Sequence, residues 1–180
     1  MSKHSGNGAK KALCRIGKLI TKTNEIIGKA ASLLVYAVII LLVFEVFLRY
    51  VLALPTRYSY ELSLMAYMAF FALGAGYALS QNAHVKVDVF YNRLKRRGKM
   101  IVDLIAYPAF FFVMAGSFLY ATHRSMAVAF LTGELGVQSP FRYPMWPIRT
   151  VMFIGAVLLT LQGIVKFFEI FKKRGGEEKP

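Results

Sequence analysis

Three ionisable side chains fall where the chain is otherwise apolar: Glu45 and Arg49 within E-V-F-L-R-Y, and Glu61 at the head of the next apolar run. Charged groups near membrane depth are costly, and they persist where they face protein or a water-filled path. Glu45 precedes Arg49 by four residues, the favoured order for an ion pair on one helix face. Glu61 follows Pro55 across a short turn, which places it to join Arg49 in one polar cluster. Two chemistries fit this cluster. It is a structural clamp between two helices, or a relay for a proton or cation. Breaking a buried pair costs about 3–5 kcal/mol, reason enough for a clamp to keep all three residues.

Enzymatic chemistry has no such foothold. The three histidines, His4, His84 and His123, sit on separate segments, too few for four axial haem ligands or an obvious metal box. There is neither a phosphate-binding glycine loop nor a Gly-x-Ser-x-Gly elbow. His84 and Asp88 bracket H-V-K-V-D, which reads as a helix-end cap and loop fastening. The expectation is therefore no enzyme, no cofactor and no metal. Cys14 is the only cysteine, so no disulfide framework exists.

The elements that carry these residues are membrane helices. The 180 residues are 57% hydrophobic with a mean hydropathy of +0.49. Four long apolar runs stand out: Ala30–Leu48, Leu62–Leu79, Leu104–Tyr120 and Ile148–Phe168. The first would span roughly 28 Å at about 1.5 Å per residue, close to a hydrocarbon core of about 30 Å. In lipid every backbone amide needs an internal partner, so the runs are read as helices. The fold class is thus an all-α integral membrane protein with four transmembrane helices, about 29–51, 60–81, 100–122 and 146–170, paired as two hairpins. Residues 1–9 read as a disordered tail, 10–28 as a basic amphipathic segment, 29–170 as the transmembrane domain and 171–180 as a second tail. The first apolar run starts too late and is too long for a cleavable signal, so it stays as an anchor.

The formal charge of +14 is a topology signal. Lys and Arg number 7, 6 and 5 in the N-terminal, middle and C-terminal segments, against 2 and 3 in the intervening loops. The positive-inside rule then puts both termini and the middle loop in the cytoplasm, and nucleic acid is not a partner. Two basic segments are read as interfacial helices. In 10–28, Leu13, Ile16, Ile20 and Ile27 alternate with lysines, giving a lipid anchor or a cytoplasmic extension of the first helix. In Val85–Lys99, Arg93, Arg96 and Arg97 are placed to meet lipid phosphates.

Two surfaces have the residue types for partners. Gly74 and Gly76 lie in a small-residue stretch of the second helix, where backbones approach closely, either within this bundle or against another subunit. Pro108 in the third run points to a kink. Beyond that run, S-P-F-R-Y-P-M-W-P-I-R places Arg142, Tyr143, Trp146 and Arg149 together on the outer side. They form an aromatic belt at the membrane surface, or anchors for a periplasmic partner.

Taken together, E-V-F-L-R-Y at 45–50, the following proline, Glu61-Leu62-Ser63, Leu73-Gly74 and His84-Val85-Lys86-Val87-Asp88 resemble the DctQ-type small membrane subunit of tripartite ATP-independent periplasmic (TRAP) transporters. The resemblance covers roughly residues 30–165. Tyr58-Ser59-Tyr60 stands where the family often has a tryptophan before the helix 2 glutamate. The resemblance implies a bacterial inner-membrane, multi-pass subunit working with a large DctM-type membrane subunit and a DctP-type periplasmic solute-binding protein. Such systems import an organic anion, such as a carboxylate or sialic acid, on a sodium gradient. The small subunit would enlarge the fixed scaffold and help dock the binding protein. The competing reading is a self-sufficient four-helix proton-coupled exporter using Glu45. Arg49, the chain length and the long cytoplasmic segments speak against it. A haem-bearing redox subunit is disfavoured by the histidine count.

Overall fold

The computed structural model describes the backbone of residues 5–53, 57–81, 107–136 and 142–175, with side chains from residue 15 to residue 169 within those stretches except 57–60 and 107. Among the described residues the chain is helical, with no strand beyond one isolated bridge. The helices are α1 (Ser5–Tyr50), α2 (Arg57–Ser80), α3 (Tyr107–Thr132) and α4 (Trp146–Gly175). Three of them, α1, α2 and α4, are long and apolar enough to cross a membrane. The third, α3, has 26 residues but carries His123 and Arg124 beyond its midpoint.

The boundaries differ from the sequence expectation in two places. First, α1 begins at Ser5, so it takes in most of the tail expected over 1–9, and it carries the basic segment 10–28 as a continuation of the first helix, one of the two forms expected for it. Its 46 residues would measure roughly 69 Å at about 1.5 Å per residue, more than twice a hydrocarbon core. Second, α3 continues past residue 122 because Met126–Leu131 keeps it apolar, and it stops where Gly133 adopts a positive φ of 59°. A glycine in that conformation is the common way to end a helix, since it carries no Cβ to clash. Pro108 lies in the first described turn of α3. At α4, Pro147 follows Trp146 at the helix start, where its missing N–H costs nothing.

Packing runs in the order α1, α2, α4, α3, with α1 also touching α4. The two expected hairpins, α1 with α2 and α3 with α4, are thus both present and are joined through α2 and α4. Small residues make the seams. Gly28 seats Tyr77 between α1 and α2, Gly155 lies on the Ala72 backbone between α2 and α4, and Gly163 takes the Phe111 ring between α3 and α4. Most of the buried apolar positions are correspondingly small: Ala31, Ala72, Ala115, Ala129 and Ala156, with Leu79 and Val165 as the larger ones. Large apolar residues of α1, including Ile40, Val43, Phe44 and Phe47, face outward. This inversion is what lipid imposes. Hydrocarbon accepts leucine as readily as a core does, so close backbone contact decides which residues pack.

Candidate functional site

Two polar nodes fasten the helices to one another, and the expected charged cluster is divided between α1 and the α3–α4 loop. Glu45 is buried, 5% exposed, and accepts a 3.1 Å hydrogen bond from Arg49 Nη2. The i,i+4 spacing read from the sequence therefore forms the pair. Arg49 is half exposed, so it sits at the edge of the bundle rather than inside it.

Glu61 is also buried but is directed at the α3–α4 turn. Its Oε1 lies against Gly136 so closely that a Cβ there would overlap it, and Met145 borders the same spot. Its Oε2 is buried without a hydrogen-bond partner among the described residues. Ser63, two residues further along α2, is buried as well.

The two segments beside Glu61, residues 134–136 and 143–145, are paired with each other. Gly136 N donates to the Tyr143 carbonyl at 2.8 Å, and Met145 N donates to the Glu134 carbonyl at 2.9 Å, around the Leu135–Pro144 bridge. Arg149, on the first turn of α4, fastens this loop. Its Nη2 donates to Glu134 at 2.6 Å, and its Nη1 donates to Ser125 on α3. Trp146 stacks on Phe130 with ring centroids 5.4 Å apart. Arg142 is exposed and holds a positive φ of 44°, a conformation that costs a residue with a side chain roughly 1–2 kcal/mol. Of Arg142, Tyr143, Trp146 and Arg149, the four residues singled out by sequence between α3 and α4, Arg149 thus holds the loop from within. Arg142 and Trp146 face outward, and Tyr143 is half-buried.

The second node was not singled out by the sequence. Asn24 on α1 and Gln162 on α4 are almost wholly buried, and Asn24 Nδ2 donates to Gln162 Oε1 at 3.0 Å and to the Ile20 carbonyl at 3.2 Å. Gln162 Nε2 in turn donates to Thr21 at 3.2 Å. Gly76 of α2 presses on Asn24 Oδ1, where any Cβ would overlap it, and also meets the Leu158 backbone. Asn24 Oδ1 has no hydrogen-bond partner among the described residues. The available signal was Gln162, a polar side chain in the middle of an apolar run. Gly74, by contrast, has nothing near its missing side chain, so the two candidate packing glycines play different parts.

His84, Asp88, Arg93, Arg96 and Arg97 lie outside the described residues. Among the described residues no cluster of three metal-ligating side chains occurs. The polar groups that do converge make helix-to-helix and loop-to-helix fastenings, chemistry suited to holding a shape.

No curated protein matches the chain. The family model described as "Tripartite ATP-independent periplasmic transporters, DctQ component" matches residues 38–173, a stretch that takes in the Glu45–Arg49 pair, Glu61, the α3–α4 loop and Gln162. That span is most of the chain, and the chain belongs to the DctQ component family of TRAP transporters.

Proposed function

We propose that this protein is the small scaffold subunit of a sodium-coupled TRAP transporter importing an organic anion, such as a carboxylate or sialic acid. In this reading α3 is the fourth membrane span, and both termini face the cytoplasm of a bacterial inner membrane. The excess of Lys and Arg on the N-terminal, middle and C-terminal segments supports that orientation. His123 and Arg124 then lie toward the outer end of α3, close to the Ser125–Arg149 contact.

The subunit stabilises a large DctM-type membrane subunit and presents the α3–α4 loop to a DctP-type substrate-loaded binding protein. The observation that carries this reading is the loop's construction. Arg149, Glu134 and Ser125 lock it onto α3, Glu61 supports it from α2, and Arg142 and Trp146 are left outward. A pre-organised surface with an arginine and a tryptophan is the type of site that concentrates binding energy. Glu45 and Arg49 act as a clamp at the outer end of α1. An arginine bound to Glu45 opposes the exporter reading, because a coupling carboxylate must be free to exchange its proton.

Binding of the periplasmic protein to the assembled membrane complex tests the docking role. Replacing Arg142 with serine and Trp146 with alanine should weaken that binding at least tenfold, with the complex still assembled. If both can be replaced together without weaker binding or slower uptake, the loop is a membrane belt and the docking role fails.

A further inference from the structure

Between α1 and α2 runs a groove of about 520 Å³, lined on one side by Gly28, Lys29 and Ser32 and on the other by Phe71, Gly74 and Ala78. Its floor is kept low by the glycines, and at Gly74 nothing lies within 4 Å of where a side chain would begin. Phe71 stands exposed along one wall. Ser32 Oγ donates to the Lys29 carbonyl at 2.7 Å, so its hydroxyl is already engaged. Lys29 is exposed and, among the described residues, pairs with no acidic side chain. Glu25, one turn before it, instead accepts a 3.5 Å hydrogen bond from Gln81.

The ligand that matches this groove has a long apolar body and one anionic end. Lys29 sits one residue before the apolar run that begins at Ala30, at the depth where a span meets the headgroups. The stretch from Phe71 to Ala78 would cover roughly 10 Å of helix at about 1.5 Å per residue, most of one leaflet's hydrocarbon. Lys22 and Lys18 continue the exposed basic face of α1 beyond Lys29, adding positive potential at the same end. We infer that this groove binds a single anionic phospholipid of the leaflet on the basic side, with an acyl chain over Gly74 and its phosphate at Lys29. The inference rests on the membrane placement of α1 and α2 and not on the transport role.

Native mass spectrometry of the purified full chain, titrated with phosphatidylglycerol or phosphatidylcholine, reads this out without any transport activity. One phosphatidylglycerol should be retained, about fivefold more tightly than phosphatidylcholine, as expected for one lysine near an anionic headgroup. Lys29→Gln should erase that preference. Gly74→Leu should lower retention of both lipids about tenfold, equivalent to losing contact with about two methylenes. Gly116→Leu is the control, since Gly116 on α3 is equally open but lies outside the groove. Unchanged retention in Gly74→Leu, or a preference that survives Lys29→Gln, overturns the site. So does a Gly74→Cys variant that crosslinks to the large subunit in the assembled complex, because a protein helix then fills the groove.

Discussion

Replacing Gln162 with leucine removes one acceptor and one donor from the bundle while keeping a side chain of similar size. Asn24 Nδ2 loses its 3.0 Å bond to Gln162 but keeps the Ile20 carbonyl, and Thr21 loses its 3.2 Å donor. Both lost bonds join α1 to α4, and Asn24 is completely buried, so water cannot replace its partner. Interhelical hydrogen bonds in membrane proteins average about 0.6 kcal/mol and reach about 1.7, so two lost bonds predict roughly 1–3 kcal/mol. The penalty for an unpaired buried amide falls in the same range of about 1–3 kcal/mol. The assay is reversible unfolding of the purified chain in mixed micelles, with Asn24→Ala and the double variant completing a cycle. Asn24→Ala should be the more destabilising single change, because it also opens space beneath Gly76. A coupling energy of about 1 kcal/mol between the two positions is expected. Strict additivity, or a Gln162→Leu protein as stable as the parent, would show that the α1–α4 seam does not depend on this network.

Other consequences follow from the same packing. Gly76→Ala should destabilise the bundle by about 1–3 kcal/mol, since its new methyl meets Asn24 Oδ1, whereas Gly74→Ala should leave thermal unfolding unchanged. Arg149→Met should loosen the α3–α4 loop and raise its proteolytic sensitivity without unfolding α3 or α4. The Arg149–Glu134 pair is about one-third exposed, so its direct worth is no more than about 1 kcal/mol. Arg142→Gly should relieve the positive φ and hold or slightly raise thermal stability while weakening capture of the binding protein, a combination that a purely structural arginine would not give. Arg49→Gln should lower recovery of the assembled complex, and adding Glu45→Gln should restore part of it, because the buried carboxylate no longer needs compensation.

The helices and the Glu45–Arg49 pair were legible because each depends on local spacing: apolar length in one case, four residues in the other. The long-range polar contacts were not. Asn24 and Gln162 lie 138 residues apart, and Glu61 meets a loop that begins more than seventy residues later, while its nearer neighbour across the hairpin was Arg49. The apolar spacing of residues 10–28 also did not reveal which side of α1 packs on the other helices: Gly17 and Asn24 meet α4, and Gly28 meets α2. In water apolar side chains identify the packed face. Against lipid they do not, and small or hydrogen-bonding residues take over that role. A polar residue inside an apolar run, as at Gln162, is the more reliable pointer.

The central claim is that this chain holds and presents a transport system without moving substrate itself. Proteoliposomes containing the chain alone, the chain with its large membrane subunit, and both with the periplasmic binding protein test it under an imposed sodium gradient. No organic-anion flux is expected from the chain alone; flux is expected from the full set, and its loss when Arg142 and Trp146 are both replaced. Gradient-driven flux through the chain in the absence of any partner would contradict it.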